Sequence, residues 1–219
     1  MMTDQISINM RFWNRTENAA HSADWGYLMR QKTKGALLSA LQREAAGYTA
    51  DDLDIMMVRY DEKIRTVPEE YRKSLEKYAR IQITDGYNLL ATATLDPVRG
   101  KEKLPKFWKE YAAFAAGKAA EPNGRLRSLK YLIAAFMIFI EEKPPHPEGM
   151  PFPGGHTVEF YEGVYYCPVR NAWDDDESAL CRFCPAVQSR EQDMVLSKSE
   201  RDTAGKKEKI TNYFYNFKG

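Results

Sequence analysis

Arg125-Leu126-Arg127-Ser128-Leu129-Lys130-Tyr131-Leu132-Ile133-Ala134-Ala135-Phe136-Met137-Ile138-Phe139-Ile140-Glu141-Glu142-Lys143, followed at once by Pro144-Pro145, is the stretch on which the fold turns. Tyr131 to Ile140 carries no charge. It is about half as long as the roughly 20 residues that cross a bilayer, so it predicts a buried core helix and not a membrane span. Arg125, Arg127 and Lys130 at its start read as the wet end of that helix, ahead of a phosphate-facing cluster. The two prolines remove N–H donors and stop the helix.

Working toward the N-terminus, helical spacing persists. Ser22 or Asp24 can cap a helix start, and Trp25, Leu28, Met29, Ala36, Leu37, Leu41 and Ala45 follow one helical stripe as far as Gly47. Thr49 with Asp52 resembles a capping box, opening a helix with Leu53, Met56, Met57, Tyr60 and Ile64. Pro68, Glu69 and Glu70 suit the first turn of the next helix, whose pattern runs through Tyr71, Leu75, Tyr78 and Ala79 and, less cleanly, on to Leu90. Asp96-Pro97 ends it. Leu104 to Lys118 predicts a short aromatic helix with Phe107, Trp108, Tyr111 and Phe114, and Pro122-Asn123-Gly124 a turn.

Toward the C-terminus the composition changes. Pro144, Pro145, Pro147, Pro151 and Pro153, with Gly149, Gly154 and Gly155, exclude a helix over 144–156. Thr157 to Tyr161 and Val164 to Tyr166 flank Glu162-Gly163 and predict a β-hairpin. Asp174 to Glu177 forms an acidic loop without the Gly and distal Glu of a calcium loop. The last stretch carries Lys206, Lys207 and Lys209 before Tyr213, Phe214, Tyr215 and Phe217. The expected architecture is mainly α: a bundle of about five helices over 1–143, a Pro/Gly-rich cysteine module with a hairpin over 144–190, and a tail over 191–219 that packs on the bundle or on a partner.

The chain has 219 residues, 43% hydrophobic and 29% charged, which suits a globular protein. Lys+Arg is 32 against Asp+Glu 31, a formal charge of +1. A protein that coats nucleic acid carries a strong positive excess, so nucleic-acid binding through the tail ranks last among the functions considered. Met1 to Trp13 lacks the basic start and apolar run of a signal peptide.

There are three cysteines. An odd number with a two-residue spacing is not a secreted disulfide framework, and free thiols point to a reducing, cytoplasmic setting. Cys181-Arg182-Phe183-Cys184 lets both sulfurs face one point, and Cys167 follows the predicted hairpin. Thiolates select soft metals, so Cys167, Cys181 and Cys184 are candidate metal ligands, with His146 or His156 as the fourth. Zinc is favoured, because histidine completes a zinc site more readily than an iron–sulfur cluster. An iron–sulfur or open-site metal protein with redox or enzymatic activity is the alternative. Three buried thiols serving as small packing groups are the plain competitor. A thioredoxin-like site lacks its βαβ setting.

Three segments together resemble the C-terminal signature of an uncharacterised family of methanogenic archaea, domain of unknown function 2115. They are Pro145-His146-Pro147-Glu148-Gly149-Met150-Pro151-Phe152-Pro153-Gly154-Gly155, Tyr166-Cys167-Pro168-Val169, and Ala179-Leu180-Cys181-Arg182-Phe183-Cys184-Pro185-Ala186. The resemblance covers about the last third of the chain; the helical remainder is similar only in general character. It implies an archaeal cytoplasmic protein and supplies no catalytic residue. It favours His146 over His156, because His146 lies inside the matching segment, and an anaerobic source raises the weight of a cluster.

No H-E-x-x-H, P-loop or G-x-G-x-x-G occurs, and no Glu-x-x-His pair supports a di-iron bundle. Gly154-Gly155 reads as a turn before an anion cradle. The functional expectation is a structural metal site that presents an interaction surface to a protein partner or a second copy, with no membrane.

Overall fold

Asp24 starts the first helix: its carboxylate accepts the Tyr27 N–H at 2.8 Å, and α1 is Trp25–Met29. The computed structural model describes residues 22–152, 155–171 and 179–189. The expected acidic loop and the tail lie outside them.

The single helix predicted up to Ala45 is broken at Arg30–Thr33, and the cause is tertiary. Thr33 bridges to Lys103, the Lys34 N–H donates to the Glu102 carbonyl at 2.9 Å, and the Leu104 N–H donates to the Lys32 carbonyl at 3.0 Å. Thr33 then caps α2 (Lys34–Ala45), its hydroxyl accepting the Ala36 N–H. In α3 (Ala50–Ile64) the predicted box is half formed. The Thr49 N–H donates to the Asp52 carboxylate at 2.8 Å, but the Thr49 hydroxyl bonds to that carboxylate too.

Pro68 sits one position earlier than expected, just before α4 (Glu69–Arg80). The helical run continues through a widened turn, Ile81–Asp85, into α5 (Gly86–Thr92). Asp96-Pro97 does more than end an element. The Asp96 carboxylate accepts the Val98 and Arg99 N–H groups and opens α6 (Pro97–Lys101). The aromatic helix α7 is Trp108–Ala119, and the most apolar helix α8 is Gly124–Phe139. Beyond α8 the chain reverses where Glu142 takes φ of 58°, and the Lys143 N–H returns to the Met137 carbonyl at 2.9 Å. The chain is mainly helical, as expected, but tertiary breaks divide the predicted helices into more and shorter pieces. Among the described residues no helix is long and apolar enough to cross a membrane.

The described residues form two units. Unit 1 takes the described residues up to Ile55 together with Leu90–Leu132. Its core holds Trp25, Leu28, Leu37, Leu41, Trp108, Tyr111 and Leu129, all nearly inaccessible. Trp108 stacks on Tyr111 at 5.8 Å, and the Tyr111 hydroxyl donates to the Tyr131 carbonyl at 2.7 Å. The Trp25 indole N–H donates to Ser128 Oγ at 2.9 Å, which gives the fully buried Ser128 a partner. Gly35 meets Gly100 backbone to backbone: a Cβ there would lie 2.9 Å from the Gly100 carbonyl oxygen.

Unit 2 takes Met56–Leu89 with the described residues from Ile133 onward. The Pro/Gly-rich module expected over 144–190 therefore falls within it, together with 56–89 and 133–143. The short strands β1 (Pro151–Phe152) and β2 (His156–Thr157) pair antiparallel. The strands β3 (Glu159–Tyr161) and β4 (Val164–Cys167) form the predicted hairpin. Its turn residues Glu162 and Gly163 take φ of 49° and 80°, the two left-handed positions that a tight hairpin needs. The last strand, β5 (Val187–Gln188), adds parallel to β4. Gly149, with φ of 80°, lies where any Cβ would run into the Tyr78 hydroxyl.

Candidate thiol and metal centre

The module is tied to its helices before it holds anything. The widened turn Ile81–Asp85 carries Gln82, whose side-chain N–H donates to the Pro145 carbonyl at 2.6 Å. A bulge of this kind re-aims side chains relative to a regular helix, and here it meets the first residues of the proline-rich segment. The apolar cluster of unit 2 then gathers Ile64 and Leu75 from helices with Met150, Phe152, Val158, Cys167 and Ala186 from the module.

Cys167 closes β4 and is buried in that cluster. Cys184 ends the one-turn helix Leu180–Phe183 and packs against the same cluster. Its N–H donates to the Cys181 carbonyl at 3.0 Å, so the C-x-x-C forms a closed turn. The pairing of β5 with β4 brings these parts together. Gln188 is the latch: its amide N–H donates to the Pro168 carbonyl at 3.0 Å and its amide oxygen accepts the Asn171 N–H at 2.8 Å.

Two local motifs repeat around the sulfurs. In Cys167-Pro168-Val169 the Arg170 N–H donates to the Cys167 carbonyl at 3.5 Å, and the Val169 and Arg170 N–H groups pull the Cys167 thiol down. In Cys184-Pro185-Ala186 the Ala186 N–H likewise pulls the Cys184 thiol down. Proline directly after cysteine has no N–H, so the donor falls on later residues in both motifs. Burial pushes the Cys167 thiol up. Burial, with the neighbouring Cys167 adding to it, pushes Cys184 up to about 11. The N–H groups and the Arg170 guanidinium pull both the other way. The thiols are thus protonated at neutral pH in the metal-free chain, while the donors that would stabilise thiolates are already in place.

The two candidate histidines meet the module at Phe152. The His146 ring lies edge-on to Phe152 at 5.5 Å, and His156 is the register partner of Phe152 in the β1–β2 pair. Among the described residues no three His, Cys, Asp or Glu side chains form a group that could hold a metal ion. Cys167 and Cys184 are brought together, Cys181 lies one turn away, and the four-residue set with His146 is not assembled as a coordination shell. Cys167 and Cys184 pack as apolar groups in the cluster, and the His146 imidazole rests against an aromatic ring.

The N–H donors of Val169, Arg170 and Ala186 are not among the residues that spacing and composition single out. Their signal in the sequence is the repeated Cys-Pro-aliphatic triplet at Cys167 and Cys184.

A family model described as "Uncharacterized protein conserved in archaea (DUF2115)" matches residues 33–189. The match takes in helices of both units, so the resemblance is not confined to the cysteine module. The chain is similar to a UPF0305 protein of Methanothermobacter thermautotrophicus, 30% identical over 160 residues, which are 72% of this chain and 97% of that protein. A second UPF0305 protein of the same organism is 28% identical over 166 residues, 73% of this chain and 98% of its own length. One from Methanocaldococcus jannaschii is 25% identical over 154 residues, 68% and 92%. No solved structure matches.

Proposed function

We propose, for a chain that belongs to the archaeal family DUF2115, that the C-terminal module is a thiolate metal site, zinc before iron–sulfur, whose task is to hold an interaction surface in shape. The observation that carries this is the pair of Cys-Pro turns that the β4–β5 pairing brings to one apolar cluster, with backbone N–H groups that pull both thiols down against their burial. Such donors have little to stabilise in a neutral thiol and much in a thiolate.

Metal binding would deprotonate the thiols it takes as ligands, which offsets the burial that raises Cys167 and Cys184 in the free chain. Cys181, on the same closed turn as Cys184, is the nearest further thiol. The fourth position falls to His146, ahead of His156, or to an exogenous ligand.

Elemental analysis with an absorption spectrum, on protein purified without oxygen, tests this directly. One zinc per chain and no colour are expected. Brown protein with iron and sulfide would transfer the site to the cluster alternative. Neither metal, even after incubation with zinc, would refute it and leave the thiols as packing groups. Cys184→Ser should lose metal and lower the thermal midpoint together; a variant that keeps both would also refute it.

A further inference from the structure

The β3–β4–β5 sheet is apolar on both faces. The register sets Phe160 against Tyr165 and Cys167 against Gln188, and Tyr165 and Cys167 pack into the unit 2 cluster. Alternation therefore places Glu159, Tyr161, Val164, Tyr166 and Val187 on the opposite face. Tyr161 is 65% exposed, Val187 44% and Val164 37%. An antiparallel hairpin with one wet face ordinarily carries polar residues there. Contiguous exposed apolar side chains of this kind mark a docking surface.

We infer that this face is the docking site for the aromatic segment Tyr213–Phe217 of the same chain. The chain leaves from the sheet itself: β5 is its last described strand, and the Ser189 N–H is held on the Cys167 carbonyl at 3.2 Å. Residues 190–212 lie between Ser189 and Tyr213. Fully extended, a connection of that length reaches roughly 75 Å, against about 10 Å across three strands, so its length lets the segment reach the face. Tyr213, Phe214, Tyr215 and Phe217 supply broad apolar area with polar tips. Lys206, Lys207, Lys209 and Lys218 flank them and complement Glu159 and Glu162, the exposed carboxylates of the hairpin. Tethering raises the local concentration to the order of millimolar, so modest contact affinity suffices. The face lies within the family match and the segment beyond it. The inference rests on the interaction half of the proposed function and not on the metal.

The test uses the full chain with Phe214 replaced by the photo-crosslinking residue p-benzoylphenylalanine. Irradiation of dilute protein followed by peptide mapping should place the cross-link within 159–188 on the monomer band. Val187→Glu and, separately, the milder surface change Glu159→Lys should each cut the yield, the first by roughly tenfold, which corresponds to about 1.4 kcal/mol. Cross-links elsewhere on the chain, cross-links confined to a dimer band, or a yield untouched by both substitutions would overturn the assignment. Metal content, measured on the same samples, should not change with either substitution. Absence of metal from all samples with the cross-link intact would count against the metal site alone.

Discussion

Replacing Arg125 with Met tests whether unit 1 depends on one buried ion pair. The Arg125 guanidinium donates to Asp52 Oδ1 at 2.9 Å, to Asp52 Oδ2 at 2.6 Å and to the Gly47 carbonyl at 3.0 Å, and it lies 4.7 Å from the centroid of the Tyr48 ring. The side chains are 14% and 4% exposed. Removing one partner of such a pair costs about 3–5 kcal/mol, because the other charge stays buried. Thr49 remains on Asp52 through its N–H and hydroxyl, so the lower end applies, about 3 kcal/mol at pH 7.

The same pair sets a pH dependence. Burial disfavours the Asp52 carboxylate, but the Arg125 and Thr49 hydrogen bonds outweigh it and hold the group below its ordinary value. A carboxylate with a depressed folded pKa contributes stability that is complete above its unfolded value of about 3.9 and is lost as pH falls through the folded one. In Arg125→Met that contribution is gone, so the gap between the two proteins should close below about pH 4. Urea unfolding followed by circular dichroism at pH 7 and at a series of acid values measures both. A loss under about 1 kcal/mol, the worth of an exposed pair, or a gap that does not narrow in acid, would refute the reasoning.

Gly149→Ala should destabilise unit 2 by more than about 1–2 kcal/mol, the cost of a left-handed alanine, since its Cβ also displaces the Tyr78 hydroxyl; hydrogen exchange at β1 and β2 would report it. Tyr111→Phe should cost about 1–3 kcal/mol in urea unfolding, because the Tyr131 carbonyl loses a buried donor. In metal-free protein, alkylation of Cys184 should be slow at pH 7 and accelerate only toward about pH 11; rapid labelling at neutral pH in the folded state would contradict its raised pKa. The linked stability runs the opposite way from Asp52. A thiol whose folded pKa is raised contributes fully below its unfolded value of about 8.5 and loses that contribution as pH rises through about 11.

Whatever depends on neighbours along the chain is legible in the sequence alone. Apolar periodicity and the Pro144-Pro145 stop mark α8 as a core helix, although the left-handed turn at Glu142 ends it sooner. Asp24 caps as expected. Glu162-Gly163 turns the hairpin, because a left-handed pair is a local requirement that few residues meet. The three cysteines are visible as a module. Partners distant in sequence are not legible. The break at Arg30–Thr33 exists because Lys32, Thr33 and Lys34 find backbone partners at Glu102, Lys103 and Leu104. The parallel addition of β5 to β4 sets Cys184 beside Cys167. The strand register alone turns Tyr161 and Val187 outward. Local propensities act over a few residues and leave a trace in composition and spacing. Pairing across long separations is decided by what the whole chain can bury and bond at once, and only the tertiary structure records that choice.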